Sequence, residues 1–309
     1  MQIFRTKFKK DILAEFILPF RPSNRVIILC KGMPGMPRFP DVLKFWARKG
    51  FWVFFPRYRG TWESGGEFLR ESPEKDILDV IDELPKGFTD LWSGKRYKLP
   101  SADCEIYLLG GSFGGPAAIL CSRDPRVRKA VAFAPVIDWK APSDEPMGKL
   151  GAFLPKGFGN SYRFSKKNWR RLSENKFYSP ISLIPSLRSS PAGGELPKGE
   201  GWEPRGSASP PARARTIKTG KEGCPVFALP RNRLRGTGGD GVVGVDGSKL
   251  LIFHAKDDRS VPYSYTKRFA AKTGAKLITL QTGGHFGFSK SIEPRIYEHI
   301  RNFFRQKKG

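Results

Sequence analysis

Short apolar runs and amphipathic stretches take turns along this chain. Arg25 to Cys30, Phe51 to Phe55, Ile106 to Leu109, Ala130 to Ala134, Leu250 to Phe253 and Leu277 to Leu280 are rich in aliphatic and aromatic residues and read as buried strands. Between them, Val42, Leu43, Phe45 and Trp46 within Asp41 to Lys49, and Ile77, Val80, Ile81 and Leu84 after Glu74, recur at the spacing of one helix face. Pro116 to Leu120 has the composition of a buried helix, and Tyr263 to Thr273 and Ile292 to Arg305 read as two more. At the start, Ile3 to Phe8 and Ile12 to Leu18 flank Lys9-Lys10-Asp11 and suit an antiparallel hairpin. Lys86 to Asp103 reads as a connection. Strand and helix in alternation predict an α/β fold, a mostly parallel central sheet with helices on both faces.

The pattern changes between the strands near Ala130 and Leu250. Residues 140–186 carry scattered aromatics, Phe153, Phe158, Tyr162, Phe164, Trp169, Phe177 and Tyr178, and predict a small cap-like insertion with a helix over Lys166 to Leu172. Residues 187–247 are rich in glycine, proline and arginine and lack the apolar content that offsets chain entropy. The expectation there is a disordered segment foreign to its flanks, either an insertion or an out-of-frame translation. Both segments fall inside a single expected domain spanning residues 1–309.

Composition narrows the class. The formal net charge of +26 is spread along the chain, without the basic helix or stripe that a nucleic-acid footprint requires, so a basic solvated surface is expected and no specific nucleic-acid partner. The four cysteines form no CxxC pair, which predicts neither a metal site nor a disulfide scaffold. No apolar run is long enough for a membrane span and none reads as a signal peptide. Reduced thiols and these absences predict a cytoplasmic protein.

The candidate chemistry centres on Gly110-Gly111-Ser112-Phe113-Gly114-Gly115, between the Ile106 strand and the Pro116 helix. A Gly-x-Ser-x-Gly turn of this kind holds a serine in a strained conformation at the mouth of a helix, where the Phe113 N–H can stabilise a developing negative oxygen. A serine nucleophile needs a base. Of three histidines, His254 ends an apolar strand and reads as a packed, hydrogen-bonded structural residue, and His299 falls in the last helix. His285 follows a strand end behind Gly283-Gly284 and is the expected base. Asp257, Asp258 and Asp138 all follow strands and could each orient it.

The order Ser112, Asp257 or Asp258, His285 is that of the α/β-hydrolases. More narrowly, the Gly-Gly-Ser-Phe-Gly-Gly turn, the loop Pro56-Arg57-Tyr58-Arg59-Gly60 with Ser64-Gly65-Gly66, and His254-Ala255-x-x-Asp258-x-x-Val261-Pro262 resemble the catalytic domain of the prolyl oligopeptidase family and related esterases. The resemblance implies the α/β-hydrolase fold and favours Asp258, three residues before Val-Pro, as the acid. It implies an oxyanion hole from the backbone of Met33 and Phe113. Lys31 stands where that family usually has His or Tyr, and this chain has no β-propeller like that of the oligopeptidases. The expected activity is hydrolysis of a small ester or peptide substrate, with no cofactor and no metal. Lys31, Tyr58, Phe153 and Trp169 are the candidate pocket residues, with Phe158 beside them. The rival expectations are a hydrolase-fold protein without turnover and a basic protein that binds nucleic acid or membrane surfaces.

Overall fold

The structure is a computed structural model that describes residues 1–145, 147–184 and 244–306. Ten strands and seven helices are found among them. The strands are β1 (Phe4–Phe8), β2 (Ile12–Ile17), β3 (Arg25–Cys30), β4 (Trp52–Pro56), β5 (Phe88–Thr89), β6 (Arg96–Tyr97), β7 (Glu105–Gly111), β8 (Val127–Phe133), β9 (Leu250–Ala255) and β10 (Lys276–Leu280). The helices are α1 (Pro40–Arg48), α2 (Glu74–Glu83), α3 (Gly114–Cys121), α4 (Leu150–Phe158), α5 (Lys166–Ser173), α6 (Tyr263–Thr273) and α7 (Pro294–Arg305).

Eight strands form one sheet in the order β1-β2-β4-β3-β7-β8-β9-β10. β2 pairs antiparallel with both β1 and β4, and every pairing from β4 through β10 is parallel. The opening hairpin is therefore as the sequence predicts, while the supposed connection 86–103 contains the small antiparallel ribbon β5–β6. Those two strands are each two residues long, too short to leave an alternation in the sequence.

Parallel strands in the middle of the sheet are covered on both sides, which is why they read as unbroken apolar runs. Along β3, Val26, Ile28 and Cys30 join the core beneath α2, α3 and α6, whereas Ile27 and Leu29 join the core shared with α1 and α7. Two hydrophobic layers thus sandwich the sheet. One consequence is geometric: the turns after β3, β4, β7, β9 and β10 all leave the same edge.

Between β8 and β9 lie α4 and α5. The helix expected over Lys166 to Leu172 is α5, capped by the Ser165 side chain, which accepts from the Asn168 N–H at 3.2 Å. α4 carries Pro155 and glycines, which obscure its helical spacing in the sequence. Of the expected foreign segment 187–247, residues 187–243 lie outside the described residues. Its last residues belong to the fold: Val245 packs on the core, and the Asp246 carboxylate accepts from the Ser248 N–H at 2.9 Å where the chain enters β9. No described helix is long and apolar enough to cross a membrane.

Candidate active site

Ser112 follows β7 with φ of 52°, in the left-handed region that a side chain rarely adopts. Three backbone hydrogen bonds hold it there: its N–H donates to the Phe133 carbonyl at 2.8 Å, and its carbonyl accepts from the Gly115 N–H at 2.9 Å and the Val136 N–H at 3.4 Å. Gly110 and Gly114 make the turn possible by close approach. A Cβ on Gly110 would meet the Gly114 carbonyl oxygen at 2.2 Å, and one on Gly114 would meet that of Cys30 at 2.0 Å. Phe113 is the N-cap residue of α3, so its N–H belongs to the turn whose amides have no intrahelical acceptor. The Phe113 carbonyl accepts from the Tyr178 hydroxyl at 2.6 Å.

His285 lies in the loop after β10, with Nε2 2.7 Å from Ser112 Oγ and Nδ1 2.8 Å from Asp258 Oδ2. A carboxylate cannot donate, so Nδ1 carries the proton and Nε2 faces the serine hydroxyl as acceptor. The side chain of Asp258 is fully buried. Burial alone would raise its pKa, but hydrogen bonds from His254 and His285, the charge of His285 and a backbone N–H hold it well below the usual carboxylate range.

The structure separates the three candidate acids. Asp258 meets the imidazole. Asp257 accepts the N–H groups of Gly283 and Gly284 at 3.1 and 2.9 Å, anchoring the loop that carries His285. Asp138 is engaged elsewhere, accepting from the Lys140 N–H at 2.8 Å and the Asn175 amide at 2.5 Å. Adjacent aspartates therefore hold the ring of one histidine and the backbone of the two glycines before it.

His254 is packed and hydrogen-bonded, with a partner that the sequence did not name. Its Nε2 lies 3.1 Å from Asp258 Oδ2 and 3.0 Å from the Val261 carbonyl, and its Nδ1 lies 2.8 Å from Thr266 Oγ1. Two acceptors at Nε2 require the proton there, leaving Nδ1 to accept from Thr266. Asp258 Oδ2 thus receives two imidazole N–H groups, while Oδ1 accepts the N–H groups of Ser260 and Val261 at 2.9 Å each. His299 is exposed on α7, away from this network.

The remaining expected residues divide. Gly32 is pressed against the serine turn, where a Cβ would meet the Gly111 oxygen at 2.9 Å and Ser112 Cβ at 3.4 Å, so Met33 is next in the chain to a residue touching Ser112. Lys31 does not point to solvent; it is 4% exposed, and its ammonium contacts the Gly32, Gly35 and Tyr162 oxygens. Tyr58 is a core residue whose ring meets Phe113 edge-on at 5.6 Å. Trp169 is bound within its own segment, donating from Nε1 to the Gly148 carbonyl at 2.8 Å. Phe153 packs edge-on against Phe158 at 6.1 Å. No group of three or more potential metal ligands occurs among the described residues.

A strained serine at the end of a central parallel strand, hydrogen-bonded through histidine to a buried aspartate, defines a class of hydrolase-fold proteins. A family model described as the alpha/beta hydrolase family matches residues 33–293, and the chain belongs to that family. A search of curated proteins returned no match. Among solved structures, the chain is similar to acylaminoacyl peptidase from Pyrococcus horikoshii, with TM-score 0.56 and 15% identity, covering 99% of this chain and 41% of that one. It thus spans about two fifths of that peptidase's length. It is also similar to the alpha/beta hydrolase GrgF from Penicillium sp. sh18, with TM-score 0.58 and 14% identity over 98% and 97% of the two chains. Est1E from Butyrivibrio proteoclasticus matches at TM-score 0.53 and 12% identity over 99% and 100%. At these identities the likeness is one of fold.

Proposed function

We propose that this protein is a serine hydrolase that cleaves an ester or amide of a small substrate through an acyl-enzyme. The observation that carries the reading is the unbroken hydrogen-bond chain from Ser112 Oγ through His285 to Asp258, with links of 2.7 and 2.8 Å.

In this reading Ser112 Oγ attacks the substrate carbonyl carbon while its proton passes to His285 Nε2. Asp258, held ionised by its donors, keeps the imidazole in the required tautomer and stabilises its cation. The carbonyl oxygen becomes negative and is met by the N–H groups of Phe113 and Met33. Collapse of the tetrahedral species breaks the bond to the leaving group, which takes the proton from His285. Water then attacks the acyl-Ser112 ester, giving a proton to His285, and as the carbon–Oγ bond breaks His285 returns that proton to Ser112 and the acid is released.

The likeness in fold to an acylaminoacyl peptidase and to an alpha/beta hydrolase supports hydrolysis at a carbonyl carbon without choosing the leaving group. The direct test is labelling with a fluorophosphonate, which phosphonylates an activated serine. Wild type is expected to be modified at Ser112, with labelling abolished in Ser112→Ala and the peptide located by mass spectrometry. A folded wild type that takes no label would remove the enzyme reading in favour of a binding protein.

A further inference from the structure

The Lys31 amine is buried, and its hydrogen-bond partners are neutral oxygens. Each of its three N–H groups has one acceptor: the Gly35 carbonyl at 2.5 Å, the Gly32 carbonyl at 3.1 Å and the Tyr162 hydroxyl at 3.3 Å. Burial, and after it the charge of Arg57, lowers its pKa from the ordinary 10.5 to about 7. The other titratable group at the amine, Tyr162, is pushed up to about 12 by burial and stays neutral. An apolar side chain of similar length would fill this space without the desolvation penalty of a charge.

The peptide plane gives the lysine a use. Met33–Pro34 is the one cis bond among the described residues, so Gly32–Met33 is trans, and in a trans peptide the C=O and N–H point in opposite directions. An ammonium that holds the Gly32 carbonyl on one side fixes the Met33 N–H on the other. Gly32 itself lies against Gly111 and Ser112. We infer that Lys31 is a positioning residue that, by holding the carbonyls of Gly32 and Gly35, turns the Met33 N–H toward Ser112 and keeps the second oxyanion donor preformed. This inference rests on the proposed role of Met33 as that donor. If the peptide turned over, a carbonyl oxygen would stand where a donor is required, and attraction for the negative oxygen would become repulsion.

Two further contacts brace the same loop. Tyr162 donates to the Gly35 carbonyl at 3.4 Å and is bridged to Thr61, tying the loop to the segment that follows α4. The buried Arg57 donates to the Pro37 carbonyl at 3.3 Å. Carbonyl oxygens at three positions of one short loop are therefore held by side-chain donors.

Lys31→Met keeps the volume and removes the donors. With p-nitrophenyl acetate as probe, kcat is expected to fall roughly 10²- to 10³-fold, the usual effect of losing one oxyanion donor, with KM within about twofold. The melting temperature at pH 6 is expected to stay level or rise, because a buried charge is gone. A kcat within about threefold of wild type overturns the inference. So does a fall in melting temperature with kcat and KM both worsened, the mark of a merely structural role. Crystal structures of wild type and Lys31→Met read the peptide directly: a turned or split Gly32 carbonyl supports the inference, and an unchanged one overturns it. That readout stands even where Ser112→Ala retains hydrolysis, the result that would remove the triad reading instead.

Discussion

At the scale of single residues, Asp258 has the most demanding position, because one carboxylate oxygen serves two imidazoles. Replacing it by Asn keeps the shape but no longer fixes the proton on His285 Nδ1, and kcat should drop on the order of 10⁴-fold. His254→Leu removes one charged hydrogen bond of the kind worth about 1.5–3 kcal/mol. Urea unfolding should show a loss of that size, and His254→Gln, which can still present an N–H to Asp258, should recover part of it. Equal losses in the two variants would mean that His254 acts by packing alone. Lys31 predicts a pH effect with a definite sign. Its folded pKa of about 7 lies below the ordinary 10.5, so between these values the unfolded chain holds a proton that the folded chain does not. Stability therefore rises with pH across that window, by up to about 1.4 kcal/mol per unit from this group. The difference between wild type and Lys31→Met, measured by denaturation from pH 6 to 10, should shrink steadily as pH increases.

At the scale of elements, the serine turn depends on how closely β7 and α3 approach. Gly114 touches the Cys30 carbonyl at the end of β3 so tightly that a methyl group has nowhere to go. Gly114→Ala should cost more than about 4 kcal/mol, the range of core overpacking combined with backbone displacement, and should lower the melting temperature sharply or prevent folding. Tolerance of alanine with unchanged melting temperature would mean that the turn is looser than described. The sequence was most legible where elements are long and fully covered. β3, β4, β7, β8 and β9 are apolar on both faces and stand out as runs, and α6 and α7 keep a helical spacing. β5, β6 and α4 were hidden for physical reasons: two-residue strands have no period to read, and the proline and glycines of α4 blur the spacing of its apolar residues.

At the scale of the molecule, the candidate site is assembled from distant parts of the chain. Ser112 comes from β7 in the middle of the sheet, while Asp258 and His285 follow β9 and β10 at its end. The packing of the sheet, with a loop anchored by Asp257, brings His285 within 2.7 Å of a serine 173 residues away in sequence. Loss of fluorophosphonate labelling in urea should thus coincide with loss of far-UV circular dichroism, as for one cooperative unit. Labelling that disappears at clearly lower urea would place the loops of β9 and β10 in a separate, weaker unit.

The sequence by itself determined the sheet, because strands buried on both faces must be apolar throughout, and it determined the serine turn, because only glycines fit around it. It also singled out His285 as the candidate base, the histidine behind a strand end with a flexible loop. Tertiary structure alone decided what depends on direction and partner. Asp257 and Asp258 are neighbours of identical chemistry, and only the fold sends one to an imidazole and the other to two backbone amides. His254 reads as a packed, hydrogen-bonded residue, and only the fold shows that its partner is the same carboxylate. Lys31 reads as a candidate pocket residue, yet the curl of its own loop closes around it. Periodicity records which residues are buried; where a buried polar group points is set by oxygens and nitrogens brought near it from elsewhere in the chain.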